Sequence, residues 1–334
     1  MKIDFTPYFN KCYRFTETCL IGGLSVRIMT DNSSFYRAID KMYLVKDIVK
    51  KKQPDVTMVV ISVKDLSQIP LDMPAETDWQ PGVSKDFKGP QYFKDIKDVR
   101  YLRHLGNYGE ISPMAGLYHQ NKILLFTTGQ VKPRSFRNSI RIMLMYFFRI
   151  RGFFALHAAY LTKGDVSILF PGDSGYGKTT ISINLTKAGF ICRGDDISFL
   201  CRSNSKVKVY PFPTRMLRRD HEKGTGVCAR RKACYKKASA PNFIVFPTIT
   251  HKKKSKLMPL SSNEAMIKIV ENLMFSSLEP VRDHHVEAME ILKKLAKQCR
   301  SYLLLGGKDI IKSPANLSLI LKRLIKHKYE DMHY

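Results

Sequence analysis

The sequence has little of what builds disulfide frameworks, structural zinc sites or membrane spans. Its seven cysteines are odd in number, scattered, and form no Cys-x-x-Cys pair, which argues against both kinds of site and favours a reducing compartment. Residues 140–161 are apolar but interrupted by three arginines, so no membrane span is predicted. The first residues lack the cationic and apolar regions of a signal peptide. We therefore expect a cytoplasmic protein.

Acidic residues are also scarce. The chain has 29 Asp and Glu against 56 Lys and Arg, which gives a net charge of +27. Residues 202–256 hold 16 of the basic residues and only Asp220 and Glu222. Such a basic segment indicates an anionic partner, although a solvated lysine-rich surface would look the same. Nucleic acid stays open as a partner, but no regularly spaced aromatic residues offer a stacking platform for bases.

The length of 334 residues and the hydrophobic content of 44% allow two domains with cores of their own, or one large domain. Residues 1–135 are predicted to form a small β-rich N-terminal domain. It would contain a hairpin over 20–28, further strands over 56–63, 101–105 and 123–126, and a loop over 64–98.

Residues 136–334 are predicted to form the second domain. It would begin with an amphipathic helix, because apolar residues recur at helical spacing from Ile140 to Phe148. Ser261 and Glu264 form a capping-box pattern ahead of another helix. Residues 286–295 and the stretch after Ser313 are also predicted to be helical, with a strand over 302–305 between them.

The most informative motif is a complete Gly-x-x-x-x-Gly-Lys-Thr loop between a predicted strand, 166–170, and a predicted helix, 180–188. This order is what a phosphate-binding loop requires. The candidate nucleotide-binding residues are Gly172, Asp173, Ser174, Gly175, Tyr176, Gly177, Lys178, Thr179 and Thr180.

The residue types in the loop suit binding of ATP and Mg²⁺. Glycines let successive backbone N–H groups surround an anion, and the start of a helix adds its positive end. Lys178 would reach the β- and γ-phosphates, and the Thr179 hydroxyl would ligate Mg²⁺. The alternative is a chance match in a glycine-rich turn.

Two acidic residues, Asp195 and Asp196, follow a predicted short strand over 189–193 that would run beside the strand preceding the loop. Neighbouring carboxylates can divide the work, one holding Mg²⁺ and the other accepting a hydroxyl proton. An Asp-Asp turn between strands is the structural alternative. His157 lies among small and apolar residues, where a histidine satisfied within the core is the simpler interpretation.

His157, the loop and the Asp-Asp pair together resemble the HPr kinase/phosphorylase family and its smaller HPr-kinase-like relatives. Tyr210-Pro211-Phe212-Pro213, the apolar run 243–246 and the helix containing Glu264 extend the resemblance over about residues 137–326. It implies an α/β (α+β) fold with a mixed sheet, akin to phosphoenolpyruvate carboxykinase, and phosphoryl transfer from ATP to a serine hydroxyl.

The resemblance also implies residue roles. Lys178 and Asp195 would be catalytic, with Asp195 as general base and His157 paired with it, while Thr179 and Asp196 would hold the metal. The sequence has no equivalent of the family's Glu-x-Arg-Gly-type segment, and residues 1–135 do not resemble the family's N-terminal domain. Reverse phosphorolysis and HPr as acceptor are therefore not implied.

The sequence thus predicts an ATP- and Mg²⁺-dependent serine kinase of the HPr-kinase-like kind. Its acceptor would be free serine, a peptide or a carrier protein, and a homo-oligomer stays open. One alternative is a non-catalytic nucleotide-binding regulator that holds an acidic partner or nucleic acid through residues 202–256. Another is a general phosphate-loop ATPase.

Overall fold

The computed structural model describes residues 4–42, 53–69, 80–82, 91–96, 99–104, 114–128, 133–212, 217–218, 227–228, 238–250, 252–274, 282–313 and 315–321. They form a mixed α/β structure that divides into two compact units. The first unit comprises Met1–Phe153 with Phe275–His285, and the second comprises Phe154–Met274 with Val286–Tyr334. The boundary expected between residues 135 and 136 stays a prediction.

The first unit contains a mixed sheet of eight strands in the order β1-β2-β3-β8-β7-β6-β5-β4. β2, β3 and β8 are parallel neighbours, and the remaining pairs are antiparallel. The strands are β1 (Phe15–Ile21), β2 (Leu24–Thr30), β3 (Val56–Val63), β4 (Gln80–Gly82), β5 (Gln91–Ile96), β6 (Val99–His104), β7 (Met114–His119) and β8 (Lys122–Thr128).

Three α-helices accompany this sheet: α1 (Thr6–Phe9), α2 (Ser33–Met42) and α3 (Pro133–Arg149). A short 3-10 helix covers Leu66–Gln68. The apolar residues that predicted α3 are buried, but so are all residues from 142 to 149, so this part of the helix is buried on every side rather than on one face. Phe136 of α3 stacks on Phe35 of α2 with ring centroids 4.2 Å apart. Aromatic pairs of this kind add to the burial of apolar surface in holding two helices together.

Most strands predicted in this unit are confirmed, including the hairpin over 20–28 and the strand Val56–Val63. The loop predicted over 64–98 is wrong at Gln80–Gly82 and Gln91–Ile96, which form β4 and β5, whereas residues 64–69 contain no strand or α-helix. The sequence Gln91–Ile96 mixes charged and aromatic residues, so its alternation was too weak to indicate a strand. β5 pairs on both sides, with β4 and β6, and this pairing stabilises what local preference does not.

The second unit contains a mixed sheet in the order β13-β12-β9-β10-β16-β18-β17, with β11 paired to β9. Its strands are β9 (Phe153–Lys163), β10 (Val166–Pro171), β11 (Ile191–Gly194), β12 (Ile197–Ser203), β13 (Lys206–Pro211), β16 (Phe243–Ile249), β17 (Lys256–Leu260) and β18 (Arg300–Gly306). A separate pair consists of β14 (Leu217–Arg218) and β15 (Val227–Cys228). Its helices include α4 (Lys178–Lys187), α5 (Ser262–Glu271), α6 (Arg282–Gln298), which begins in the first unit, and α7 (Lys308–Lys312). Residues 315–321 are also helical, as predicted for the stretch after Ser313.

Three parallel strands in the middle of this sheet place the loops that follow them at the same edge. β10, β16 and β18 are parallel to one another, so their carboxyl ends lie at one edge of the sheet. In open α/β sheets, ligands bind at this edge. The short strand β11 pairs with β9, and β9 lies between it and β10, which corrects the prediction that it runs beside the strand preceding the loop.

Helices α5 and α6 pack against one face of this sheet through buried side chains such as Ala265, Ile269 and Leu292. The capping box predicted at Ser261 and Glu264 is confirmed, with both of its hydrogen bonds present. The predicted helix over 286–295 and strand over 302–305 are confirmed as parts of α6 and β18.

The apolar residues 140–161 belong to α3, the turn after it and β9. Within the part of the chain that the structure describes, no helix is both long and apolar enough to cross a membrane.

Candidate active site

The candidate site begins at the carboxyl end of β10, where the chain leaves the sheet and enters the glycine-rich loop. All six residues of β10 are buried, because β9 and β16 flank it and apolar side chains cover it. The loop therefore starts from a fixed strand, and α4 follows it directly. The strand–loop–helix order predicted for 166–188 is thus found in the structure.

Two glycines give the loop its shape. Gly175 has φ +93° and Gly177 has φ +92°, a region that side-chain-bearing residues rarely adopt. Gly177 also has a packing constraint, because a Cβ placed there would lie 2.5 Å from Ile249 Cγ1 and 2.7 Å from Ile249 Cδ1. Ile249 ends β16, so the neighbouring parallel strand limits what can stand at Gly177.

Helix α4 leaves its first backbone N–H groups available. Gly177 is its N-cap residue and provides no side-chain cap. The first N–H groups of an α-helix have no partner within the helix, and they lie at its positive end. Residues 173–176, just before this end, are exposed, and Thr180 is exposed in the first turn. The arrangement suits an anion such as a phosphate.

Lys178 is a buried cation at the centre of the site, with only 6% of its surface exposed. Its Nζ donates to the backbone carbonyls of Gly172 and Asp173, the latter at 3.0 Å. Burial lowers the pKa of the ammonium from its usual range, while Asp196, Asp195 and Asp173 act in the opposite direction. Because this ammonium is buried and hydrogen-bonded, its positive charge has a fixed position beside the loop.

Thr179 and Asp195 form the second contact. The Thr179 hydroxyl donates to Asp195 Oδ2 at 3.1 Å. Asp195 is 8% exposed, and its Oδ1 is buried without a hydrogen-bond partner in the described part of the chain. Burial raises the pKa of this carboxyl and Asp196 adds to the rise, while Thr179, Ser182 and Lys178 offset it only in part. Ser182 lies near the carboxyl, but its hydroxyl does not reach hydrogen-bond geometry.

His157 and Asp196 form the third contact. His157 Nε2 lies 3.1 Å from Asp196 Oδ1 and 3.1 Å from Lys178 Nζ. One nitrogen cannot donate to the carboxylate and accept from the ammonium at once, so the tautomer decides which contact is a hydrogen bond. The Asp196 side chain is 40% exposed, far more open than Asp195. The site thus contains one buried and one accessible carboxylate.

The backbone of His157 is fixed on both sides. Its N–H donates to the Asn272 carbonyl at 2.9 Å, and its own carbonyl accepts from the Gly172 N–H at 3.2 Å. Along β9 from residue 154 to residue 162, His157 is the one position that is not fully buried. The strand therefore presents its imidazole to the loop, while the small side chains Ala158 and Ala159 pack inside.

The structure brings together Lys178, Thr179, His157, Asp195 and Asp196, all predicted from the sequence. It pairs His157 with Asp196, and Asp195 with Thr179, whereas the resemblance paired His157 with the proposed base Asp195. Sequence reasoning missed Ile249, Ser182 and Asn272. Ser182 could have been found, because it is four residues after Lys178 and so shares a face of α4.

The predicted basic segment, residues 202–256, lies only partly within the described residues. In the basic segment, Arg215, Arg219, Arg230, Arg231 and Lys232 are not described, and for Arg218 only the backbone is. Among the described residues, no group of three or more His, Cys, Asp or Glu side chains could hold a metal ion. A site that binds Mg²⁺ through one or two protein oxygens and substrate phosphates needs no such group.

Comparison with known proteins gives little beyond this geometry. No family model matches the sequence, and no curated protein matches it. A weak structural neighbour is the Hpr(Ser) kinase/phosphatase from Coxiella burnetii, with a TM-score of 0.30 and 12% sequence identity. The match covers 54% of this chain and 99% of that chain.

Substitution at the two strained glycines separates backbone strain from packing. Gly175→Ala introduces strain only, since a Cβ there meets nothing within 4 Å, and we expect a loss of about 1–2 kcal/mol in the free energy of unfolding. Gly177→Ala adds the overlap with Ile249, so it should cost about 1–3 kcal/mol more. Urea unfolding of both variants measures the difference.

A double-mutant cycle with Ile249→Ala tests the cause. The double variant Gly177→Ala/Ile249→Ala should lose less stability than the sum of the single variants. Additive losses would show that Ile249 does not determine the residue at Gly177.

The raised pKa of Asp195 predicts a pH-dependent stability. In the folded protein, Asp195 keeps its proton at pH values above its ordinary pKa of 3.8. The protonated form therefore stabilises the folded protein fully below pH 3.8, and this stabilisation is lost as pH rises through the raised pKa of the folded state. Asp195→Asn removes this dependence while its amide oxygen can still accept from Thr179. Relative to the unaltered protein, this variant should therefore gain stability between pH 4 and neutral pH, measured by thermal unfolding.

Asp309→Asn provides a control of opposite sign. Burial alone would raise the pKa of Asp309, but hydrogen bonds from Ser255 and from backbone N–H groups hold it below its usual value. The ionised Asp309 carboxylate therefore stabilises the folded protein fully at pH values above its pKa in the unfolded state, and this stabilisation is lost as pH falls through its lower pKa in the folded state. The same trend in both variants would contradict the assignment for Asp195.

Proposed function

We propose that this chain is an ATP- and Mg²⁺-dependent phosphotransferase that phosphorylates a serine-type hydroxyl on a small molecule, peptide or protein. The observation that supports the proposal is that two arrangements of functional groups lie together at the carboxyl end of β10. A buried lysine and a capless helix start suit a nucleotide's phosphates, and beside them an accessible carboxylate contacts a histidine. A nucleotide binder needs only the first arrangement, whereas a kinase needs both.

The loop and Lys178 would bind the nucleotide. Backbone N–H groups at the start of α4 are suited to the β- and γ-phosphates. The Lys178 ammonium would move from the loop carbonyls to the phosphate oxygens, and it would stabilise the charge that develops during transfer. Its burial strengthens this effect, because charges interact more strongly where water is excluded.

Thr179 and Asp195 fit a magnesium ion. The hydroxyl donates its proton to Asp195 Oδ2, so an oxygen lone pair stays free for a cation, and Asp195 Oδ1 is buried without a partner in the described structure. A hydroxyl and a carboxylate are hard oxygen ligands of the kind that Mg²⁺ prefers. When bound, the ion would neutralise phosphate charge. Asp195 would then be the metal-side group.

Asp196 is the better candidate for the general base. It is the more exposed carboxylate and its Oδ1 contacts His157, so an acceptor hydroxyl could approach it. As the hydroxyl oxygen attacks the γ-phosphorus of ATP, Asp196 would accept the hydroxyl proton, the bond from the γ-phosphorus to the bridging oxygen would break, and ADP would leave. The neighbouring imidazole would orient the carboxylate. This assignment reverses the division of roles that the family resemblance implies.

The sequence also supports a second candidate function, that of a nucleotide-binding regulator that binds an acidic partner or nucleic acid through its basic segment. The net positive charge of residues 202–256 favours it. The contact between His157 and Asp196 favours the enzyme, since a regulator has no use for a base at this point.

Lys178→Ala should abolish phosphoryl transfer. The loss should be about 100-fold or more, as for removal of an electrostatic stabiliser. The assay offers labelled ATP with free serine, serine peptides and a serine-bearing protein. Lys187→Ala, in the last turn of the same helix and exposed, is the matched control. Transfer by the unaltered protein that survives Lys178→Ala in a folded variant would place the active site elsewhere.

Asp196→Asn and Asp195→Asn should fail in different ways. Asp196→Asn should slow single-turnover transfer by about 10²–10⁴-fold with nucleotide affinity retained, because it removes the proton acceptor. Asp195→Asn should chiefly raise the Mg²⁺ concentration needed for half-maximal rate. Single-turnover kinetics across a Mg²⁺ titration separate the two effects, and exchanged phenotypes would restore the assignment from the family resemblance.

A further inference from the structure

Three consecutive lysines, Lys252, Lys253 and Lys254, stand in the connection between β16 and β17. All three are exposed, and none forms a salt bridge with another described residue. From the sequence alone, the simplest interpretation of these lysines is a solvated surface loop. We refer to Lys252–Ser255 as the lysine loop.

The backbone of the lysine loop is held in place by the start of α7. The N–H groups of Lys308 and Asp309 donate to the carbonyls of Lys252 and Lys253, at 2.9 and 3.3 Å. Ser255 donates from its N–H and its hydroxyl to the two oxygens of Asp309, at 3.0 and 2.5 Å. An exposed loop that only connects two strands does not need this many contacts.

Gly307 shows how closely the two segments pack. Its N–H donates to Ser255 Oγ at 2.8 Å. A Cβ at Gly307 would lie 2.8 Å from the Lys252 carbonyl oxygen and 2.9 Å from the Lys254 carbonyl oxygen. Both neighbours are backbone atoms, so any side chain here displaces the lysine loop.

The lysine loop lies at the same edge of the sheet as the phosphate loop. It follows the carboxyl end of β16, which is parallel to β10, and Ile249 at that end packs against Gly177. Thr250 then donates to the Gly306 carbonyl at 2.7 Å, at the end of β18. Two residues lie between Ile249 and Lys252, so the three steps along the chain span at most about 11 Å.

We propose that the lysine loop is a docking surface for an acidic stretch of the acceptor polypeptide, next to the hydroxyl that is phosphorylated. This proposal rests on the proposed kinase function and narrows its acceptor to peptides or proteins with Asp or Glu near the serine. The fixed backbone keeps three cations at a set place relative to the phosphate loop. Charge complementarity would then select the acceptor and position it.

An acidic polypeptide suits this surface better than a nucleic acid does. Residues 250–256 contain no Phe, Tyr or Trp, the side chains on which unpaired bases most readily stack. If Asp or Glu residues of the acceptor polypeptide bind the lysines, the serine hydroxyl that is phosphorylated belongs to that same bound molecule.

The test compares two fluorescent peptides with the full-length protein: a serine flanked by three Glu residues, and the same peptide with Gln in place of Glu. Binding is measured by fluorescence anisotropy, which does not require turnover, and KM is measured for transfer. The variants are Lys252→Gln/Lys253→Gln/Lys254→Gln and a matched control, Lys293→Gln/Lys294→Gln/Lys297→Gln on α6. Both triple variants lose three positive charges.

We expect the unaltered protein and the α6 control to prefer the Glu peptide. The lysine-loop variant should lose roughly tenfold in affinity for that peptide, as three exposed ion pairs would give. Its affinity for the Gln peptide and its KM for ATP should not change. The preference should also weaken with salt, because exposed charges are screened within about 10 Å at 0.1 M.

Ser255→Ala tests whether position matters as well as charge. It keeps all three lysines but removes the Ser255 Oγ contacts to Gly307 and Asp309, so the preference should fall even though the net charge does not. Gly307→Ala is a second variant with the same aim, and a thermal melt shows whether each variant is folded. A full preference in both folded variants would overturn the role of the fixed backbone.

Equal losses in the lysine-loop and α6 variants would overturn the proposal, because net charge alone would explain them. A rise in the KM for ATP would also overturn it and assign the lysines to the nucleotide. Binding of a single-stranded oligonucleotide in preference to the Glu peptide would assign the loop to nucleic acid. If the protein transfers phosphate to the Gln peptide as well as to the Glu peptide, the kinase function stands and the docking proposal fails.

Discussion

The buried ammonium of Lys178 is the interaction on which the candidate site depends. A cation removed from water is unstable unless polar groups surround it. Here two loop carbonyls and the imidazole of His157 contact it directly. Two nearby aspartates, Asp195 and Asp196, supply negative charge. The loop, strand β9 and the turn after β11 must therefore lie close together in the folded protein.

The same requirement explains why the two aspartates differ although they are adjacent. Asp195 is buried against the first turn of α4, where Thr179 donates to it, and its pKa is raised. Asp196 extends toward solvent and toward His157. One carboxylate is thus shielded and the other accessible, and the proposed division of roles between them rests on this difference in exposure.

The sequence predicted the parts of the site whose signal is local. The loop motif needs only residues 166–188, and the strand Val56–Val63 needs only its run of β-branched residues. β9 was missed, because its alanines and phenylalanines show no alternation and it is buried on both faces. The partner of β11, the contact of Ile249 with Gly177 and the packing of Gly307 on the lysine loop all join residues far apart in the chain. A single sequence carries no pattern that reports such contacts.

The parallel pairing of β10 with β16 has one more consequence, which concerns chain length. Residue 168 on β10 meets residue 243 on β16, so the chain between them closes a long loop. The entropy cost of closing a flexible loop grows only with the logarithm of its length, and doubling the length adds about 0.6 kcal/mol. The pairing of β10 with β16 therefore sets only a weak limit on the length of the chain that connects β13 to β16. Variation there could alter what the protein meets at its surface while Lys178, His157 and the two aspartates keep their places.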